Sequence, residues 1–135
     1  MGVAVLDSSV LIGVLDASDV HHDAALAAVR RVLAARDDLL VPAAAYAELL
    51  VGAIRQSGAS GVLTVDRMLV SLLALVVPLD REIAVAAAEL RARHASLRLP
   101  DALVIATATV RRNARILTAD RGWPAIKGLA VELVA

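Results

Sequence analysis

The sequence contains no cysteine and no phenylalanine, and its only aromatic side chains are Tyr46 and Trp123. Without cysteine there is neither a disulfide framework nor a thiolate metal site, so nothing indicates an oxidising compartment. With so few aromatic residues, the core must be built from Ala, Val, Leu and Ile, which the 59% hydrophobic content supplies. We expect a single domain over residues 1–135, because this length fills one core and leaves no room for a second.

Long apolar runs and an excess charge of either sign are also missing. The N-terminus lacks a basic segment, and the apolar run Val3 to Leu6 is far shorter than the roughly 20 residues of a membrane-spanning helix. The 14 basic residues balance the 14 acidic ones, so no overall basicity indicates a nucleic-acid partner. We therefore expect a cytoplasmic protein that makes no use of a membrane.

Arginine accounts for 13 of the 14 basic residues. Its guanidinium suits bidentate phosphate contacts, but an arginine-rich surface is more often a solvated helix face. Seven arginines lie in the last third of the chain: Arg91, Arg93, Arg98, Arg111, Arg112, Arg115 and Arg121.

Short apolar runs alternate with helical patterns along the chain. The apolar runs predict strands at residues 3–6, 39–41, 75–77, 115–117 and 129–134. The helical patterns predict helices at residues 10–15, 21–36, 43–56, 61–74, 81–94 and 101–112. Strands that alternate with helices are joined by right-handed crossovers, so we predict an α/β fold with a mostly parallel sheet and helices on both faces.

Polar residues and prolines at the starts of these helices predict where each one begins. Ser8 or Ser9 is expected to cap the helix after the first strand, and Ser18 or Asp19 the next one. Pro42 suits the first position of the third helix, because proline lacks the N–H that would have no partner there.

Asp7 follows the first apolar run directly. Four consecutive apolar residues without polar alternation are typical of a parallel strand covered on both faces. Ligands of open α/β sheets bind at the carboxyl edge of such strands, which makes Asp7 a candidate functional residue. An Asp at a strand-to-helix junction is equally typical of a helix N-cap.

Asp101 lies on an apolar helix face, which it shares with Val104 and Ile105 at about 100° per residue. A surface carboxylate would not be expected there, although the helix dipole also favours an Asp in a first turn. Asp120 follows the fourth predicted strand, where a turn residue and a ligand are equally suitable interpretations.

Glu48 is predicted to be exposed. The bulky apolar stripe of its helix centres on Ala47, Leu50 and Ile54, which leaves Glu48 on the opposite side. Small residues around it, among them Gly52, would let another element approach closely.

Four carboxylates brought together without a compensating cation would repel one another unless they were protonated or bridged by divalent ions. Oxygen-only ligands favour Mg²⁺ or Mn²⁺ over zinc. His21 and His22 are adjacent and diverge on a helix, so they are expected at the surface. No histidine or cysteine triad and no glycine-rich phosphate loop supports nucleophilic catalysis or nucleotide binding.

Four segments together resemble PIN-domain proteins, specifically the VapC-type toxin ribonucleases of toxin–antitoxin modules. These segments are LDSSVLI, PAAAYAELLVG, LPDALVIATA and ILTAD, and the resemblance covers essentially the whole chain. It implies a three-layer α/β/α sandwich with five parallel strands, the first and fourth side by side. It also implies an Mg²⁺- or Mn²⁺-dependent endoribonuclease that is held in check by a cognate antitoxin, and it suggests a homodimer.

The resemblance places Asp7, Glu48 and Asp101 in the family's acidic metal site and Asp120 at its more variable fourth position. In this arrangement Glu48 lines the crevice beside the first and fourth strands. Ser8 and Thr118 match small hydroxyl positions beside the site and are candidates for substrate binding. Outside these four acids the chain carries a net charge of +4, and its late arginines, Arg112 and Arg115 among them, are candidates for contact with RNA phosphates.

A receiver-like signalling domain is the alternative from another functional class. It would use Asp7, Asp80 after the third strand, Thr118 after the fourth and Lys127. This interpretation gives no role to Glu48 or Asp101, so metal-assisted phosphodiester hydrolysis is the preferred prediction.

Overall fold

Five parallel strands form one sheet in the computed structural model of the chain, which describes residues 2–135. The strands are β1 (Val3–Leu6), β2 (Asp38–Pro42), β3 (Leu75–Val77), β4 (Ala114–Thr118) and β5 (Ala130–Leu133). Their order across the sheet is β3-β2-β1-β4-β5, and every neighbouring pair is parallel. The predicted α/β class and the adjacency of the first and fourth strands are both confirmed.

Six helices connect and cover the strands. They are α1 (Ser8–Leu15), α2 (His22–Ala34), α3 (Ala43–Ser57), α4 (Ser60–Ser71), α5 (Arg81–Arg93) and α6 (Leu99–Thr109). Two helices connect β1 to β2, two connect β2 to β3, and α5 and α6 carry the chain back across the sheet to β4. Because crossovers are right-handed, this reversal puts α5 and α6 on the face opposite the other four, giving three layers. The longest of these helices, α3, has 15 residues, and none in residues 2–135 is long and apolar enough to cross a membrane.

The central strand explains why the core needs no large aromatic residues. Ala4, Val5 and Leu6 of β1 are fully buried, as expected for a strand that helices cover on both faces. The buried apolar residues of the core are all Ala, Val, Leu or Ile. Small side chains let helices approach closely, and at Gly61 an added Cβ would lie only 2.3 Å from the carbonyl oxygen of Ala53.

The predicted caps of α1 and α2 are wrong. Asp7 occupies the N-cap position of α1, and both Ser8 and Ser9 lie inside the helix. His21 precedes α2 at the cap position and makes no capping bond with its side chain. Asp19 accepts a hydrogen bond from the N–H of His21, 2.8 Å away, so it closes a tight turn before the helix instead of capping it.

Pro42 does not begin α3 as predicted. It is the last residue of β2 and the N-cap of α3, with ψ of 144°, which is an extended conformation. Its ring still fixes the φ angle at the junction, so the chain turns directly from strand into helix without a loop.

The strand order reverses direction between β1 and β4. Chain connections leave β1 toward β2 on one side, while β4 lies on the other side, so a crevice opens at the carboxyl ends of these two strands. Such a switch point is where open α/β sheets bind ligands. The N–H of Asp7 extends the ladder by donating to the Leu117 carbonyl at 3.0 Å, which holds Asp7 at the floor of this crevice.

Candidate acidic site at the carboxyl edge of the sheet

Asp7 is fixed in place by two hydroxyl groups from different parts of the chain. Its side chain is buried, and its Oδ2 accepts hydrogen bonds from Ser9 Oγ and from Thr118 Oγ1, each at 2.8 Å. Each hydroxyl in turn accepts a bond of 3.0 Å from a backbone N–H, that of Ala119 to Ser9 and that of Asp120 to Thr118. A hydroxyl has one proton to donate, so these amides direct both protons toward Asp7.

The position of the Asp7 carboxylate distinguishes a helix N-cap from a candidate functional residue. Its backbone is at the N-cap position, but its carboxylate makes no capping bond to α1. Both hydroxyls bind the same oxygen, and within residues 2–135 no hydrogen bond reaches Oδ1. The Asp7 carboxylate therefore has one oxygen held and the other available, and the capping interpretation is wrong for the side chain.

Ser8 and Thr118 contribute through other residues. Thr118 is fully buried, and its hydroxyl donates to Asp7 instead of facing the surface. Ser8 is also buried, and its hydroxyl donates to Oε2 of Glu48 at 3.1 Å. The prediction that small hydroxyls lie beside the acids is consistent with this placement, but both side chains are positioned to orient carboxylates and not to contact a substrate directly.

Replacing the buried Thr118 by Val should destabilise the fold by about 1–3 kcal/mol, because it leaves the N–H of Asp120 without its acceptor and removes a donor from the buried Asp7. Urea denaturation measures this difference. Thr107→Val is the matched control, since Thr107 is also buried and its hydroxyl donates to the carbonyl of Leu103 within the same helix. Equal losses in the two variants would contradict a special role for the Thr118 hydroxyl.

Asp101 shares the electrostatic environment of Asp7. It lies in the first turn of α6, and its side chain is 14% exposed. Burial raises the pKa of Asp101, the neighbouring Arg98 guanidinium opposes that rise, and the negative charges of Asp7 and Asp120 add to it. The prediction that Asp101 lies on an apolar face is confirmed by the burial of Val104 and Ile105. The charges of Asp7 and Asp120 therefore both affect the carboxylate of Asp101 at the carboxyl edge of the sheet.

Acidification should narrow the stability difference between the metal-free wild type and Asp101→Asn. The pKa of Asp101 in the folded chain is raised above its usual 3.8, so the ionised form costs stability at neutral pH. That cost disappears as the pH falls through the raised pKa, because the folded chain then binds the proton more readily than the unfolded chain. Urea midpoints in EDTA from pH 7 downward measure the difference, and a gap that widens on acidification would count against this assignment.

Glu48 lies at the side of the site. It is exposed, as predicted, but the predicted stripe of its helix is wrong, because α3 buries Ala45 and Leu49 and exposes Ala47 and Ile54. The helix carries apolar residues on several sides and packs against both the sheet and α4, so periodicity alone misplaced the buried face. Glu48 lines a cavity of about 380 Å³ whose other walls come from α1 and α4.

Asp120 has the turn role that was considered for it. Its Oδ1 accepts a hydrogen bond of 2.7 Å from the N–H of Gly122, two residues further on, which is the geometry of a turn. Its charge also raises the pKa of Asp101. The turn therefore holds the carboxylate at the edge of the acidic site.

Arg112 and Arg115 are placed away from these acids. The 11 residues of α6, Leu99–Thr109, span about 16 Å at 1.5 Å per residue, with Asp101 in the first turn and Arg112 beyond the far end. Arg115 lies in β4 three residues before Thr118, and its Nη1 binds Asp37 Oδ2 at 2.9 Å. This placement argues against both arginines as contacts to a phosphate at the acidic site.

Ser9 was missed as a site residue, and Arg98 and Arg121 were named only as members of the group of seven late arginines. Ser9 was considered only as a cap, although its hydroxyl holds Asp7. Arg98 precedes α6, and its Nε lies 3.4 Å from Asp101 Oδ2. Arg121 is exposed and follows Asp120. The segment RLPDA contained a signal for Arg98, because Arg98 stands three positions before Asp101 and side chains at that spacing can meet at the start of a helix.

The residues present fit a hard divalent cation. Asp7, Asp101 and Asp120 supply carboxylate oxygens, and a cation would relieve the repulsion that Asp7 and Asp120 exert on Asp101. Glu48, which the Ser8 hydroxyl binds, supplies a fourth carboxylate. Within residues 2–135, however, no three acidic or histidine side chains already stand close enough together to form a metal-binding group. Side-chain movement toward the ion would therefore accompany binding.

The receiver-like interpretation is not favoured. Asp80 caps α5, with its Oδ1 accepting from the N–H of Ile83 at 2.8 Å. Asp80 follows β3, and both β2 and β1 lie between β3 and β4 in the sheet. Thr118, the last residue of β4, contacts Asp7.

Comparison with known proteins identifies the family. The PIN domain model matches residues 4–129. No curated protein matches the chain. Among solved structures, VapBC2 from Rickettsia felis bound to promoter DNA is 15% identical with a TM-score of 0.78, covering 97% of this chain and 98% of that one. DNA-bound VapBC from Salmonella typhimurium is 19% identical with a TM-score of 0.77, covering 100% of both chains.

A third similar structure is VapC20 from Mycobacterium tuberculosis, described as a toxin that cleaves the sarcin-ricin loop. It is 18% identical with a TM-score of 0.63, covering 79% of this chain and 82% of that one. At these identities the likeness concerns the fold, whereas the family model spans nearly the whole sequence. The chain therefore belongs to the PIN-domain family.

Proposed function

We propose that this protein is the toxin of a type II toxin–antitoxin module, an endoribonuclease that hydrolyses RNA phosphodiester bonds with Mg²⁺ or Mn²⁺. The observation that carries the proposal is the carboxylate of Asp7, which is buried at the switch point of a PIN-domain sheet and held by Ser9 and Thr118 beside Asp101. Structures similar in fold are VapBC complexes, and one is named as a toxin that cleaves the sarcin-ricin loop.

In this proposal Asp7 and Asp101 are the principal metal ligands. Glu48 ligates directly or through a water molecule, and Asp120 holds a second ion or positions the attacking water. A bound divalent cation supplies Lewis-acid polarisation of the phosphate and a water of lowered pKa. Ser9 and Thr118 keep Asp7 in one orientation, so less conformational freedom is lost on binding.

The negative charge of the acidic site affects how RNA can bind. Acids at the crevice repel an RNA backbone unless a cation neutralises them, which makes substrate binding depend on the metal. Arg98 and Arg121 flank the crevice and are exposed, so they replace Arg112 and Arg115 as the candidates for phosphate contact.

A cognate antitoxin and a second copy of the chain are the proposed partners. The cavity beside Glu48 has an apolar lining that includes Ile12, Leu15 and Leu49, with Asp16 at its rim, and it suits a partner segment that carries apolar and basic side chains. Exposed apolar residues around the edge strand β3 are compatible with a homodimer: Val70, Leu73, Leu75, Val76 and Leu79. Light scattering on the purified chain tests the dimer.

Cleavage of a fluorescent single-stranded RNA should require Mg²⁺ or Mn²⁺ and stop in excess EDTA, because carboxylates alone cannot create a strong nucleophile at neutral pH. Re-addition of Mn²⁺ should restore it. A DNA strand of the same sequence tests the preference for RNA. Cleavage that persists in EDTA, with contaminating nuclease excluded by an inactive variant prepared in parallel, would refute the proposal.

A further inference from the structure

One arginine is engaged with the acidic site itself. Arg98 occupies the N-cap position of α6, and its Nε lies 3.4 Å from Oδ2 of Asp101. The two side chains differ in environment, since that of Arg98 is 78% exposed and that of Asp101 only 14%. Ion pairs with an exposed partner contribute little stability, so a competing ligand can displace this one readily.

We propose that Arg98 is a positioning residue that changes its binding partner, from Asp101 to a phosphate of the RNA backbone, when a divalent cation binds. This inference rests on the proposed function and deepens it. In the metal-free chain the guanidinium is the counter-ion of Asp101. In the metal-bound chain it holds a phosphate of the substrate.

The first half of the exchange follows from charge. A divalent cation and a guanidinium both seek the oxygens of Asp101, and they repel each other at contact distance. The cation carries the larger charge and also gains from Asp7 and Asp120, whose charges act on Asp101. Arg98 has no second carboxylate to move to, since within residues 2–135 its ion pair is with Asp101.

The second half follows from position. The backbone of Arg98 is fixed by the start of α6, where its carbonyl accepts from the N–H of Ala102 at 3.0 Å. Its exposed side chain can therefore turn away from Asp101 and remain at the mouth of the crevice. A phosphate is the anion that a ribonuclease brings there, and a guanidinium binds phosphate with two parallel hydrogen bonds. Arg115, by contrast, is held by Asp37.

Metal affinity tests the first half without any cleavage. Mn²⁺ is titrated against the melting temperature of wild type, Arg98→Ala, Arg98→Lys and Arg30→Ala. Arg30 is the matched control, because it is exposed on α2 and makes no ion pair in the described part of the chain. Arg98→Ala should bind Mn²⁺ about two- to fivefold more tightly than Arg30→Ala, the range expected for loss of an exposed ion pair. Arg98→Lys should fall between wild type and Arg98→Ala.

RNA affinity tests the second half. Binding of a short single-stranded RNA is followed by fluorescence anisotropy in EDTA and in Ca²⁺, with the RNA checked on a gel for integrity. In Ca²⁺, Arg98→Ala should bind about three- to tenfold more weakly than Arg30→Ala, and its slope against log salt should fall by about 0.7, the value for one phosphate contact on a single strand. In EDTA the two variants should bind alike, because Arg98 is then engaged with Asp101.

The outcomes separate this inference from the proposed function. If Mn²⁺ stabilises every variant but Arg98→Ala and Arg30→Ala respond equally, the exchange is refuted and the metal site stands. If Arg98→Ala weakens RNA binding equally with and without Ca²⁺, Arg98 is a constant phosphate contact and the exchange is again refuted. If Mn²⁺ stabilises none of the proteins, the proposed function fails and this inference fails with it.

Discussion

Asp101→Asn is expected to lower RNA cleavage by about 10²–10⁴-fold, which corresponds to roughly 3–5 kcal/mol of transition-state stabilisation and is of the size expected when a catalytic cation is bound poorly. The variant keeps the shape of the side chain and loses only its charge. Initial cleavage rates at saturating Mn²⁺ measure the loss, and induced expression should no longer arrest growth.

The fold is expected to survive this substitution. Asn removes a charge whose burial, together with repulsion from Asp7 and Asp120, raises the pKa of Asp101, so the metal-free variant should be more stable than wild type. The matched control is Asp23→Asn, which also removes an acid from a helix first turn but lies on α2. That variant should lose a few tenths of a kcal/mol of stability and retain cleavage. A folded Asp101→Asn protein that cleaves at the wild-type rate would remove Asp101 from the mechanism.

Asp7→Asn is expected to shift the melting temperature in opposite directions with and without metal. In EDTA the variant should be the more stable protein, because the amide carries no charge to repel Asp101. Its oxygen can still accept hydrogen bonds from Ser9 and Thr118, so the comparison reports on charge. In saturating Mn²⁺ wild type should be the more stable, since a ligand at 100 times its dissociation constant adds about 2.7 kcal/mol and Asn weakens that binding.

Thermal melts of both proteins under the two conditions provide the measurement. Asn and Asp are nearly equivalent at an N-cap position, so any effect on α1 itself should be small and independent of metal. Parallel shifts with and without Mn²⁺ would show that Asp7 is not a metal ligand.

The sheet and its first functional residue could be predicted from short-range patterns. The run of four apolar residues before Asp7 determines a buried strand, and the structure confirms its bounds at Val3–Leu6. Alternation of strands and helices then fixed the fold class. These features depend on residues close in the sequence, which is why local reasoning found them.

Contacts between distant segments could not be predicted in the same way. The role of Ser9 depends on Ala119 and Thr118, more than 100 positions later, and no local pattern indicates that pairing. The buried face of α3 was misplaced because apolar side chains occur on several sides of that helix and its packing against α4 could not be predicted. Arg112 was a candidate for phosphate contact because it belongs to the group of late arginines, but α6 carries the chain away from the acids before Arg112 is reached.

The bonds that hold Asp7 also set the order in which the site can be completed during synthesis. Asp7 leaves the ribosome early, whereas Asp101, Thr118 and Asp120 lie in the last third of the sequence. A nascent chain of a hundred residues can pair β1 with β2 and β2 with β3, yet it lacks both the hydroxyl from β4 that orients Asp7 and the carboxylate of Asp101. Under the proposed function, chains that terminate before β4 would therefore lack cleavage activity, because translation completes the acidic site only when nearly all of this domain has been made.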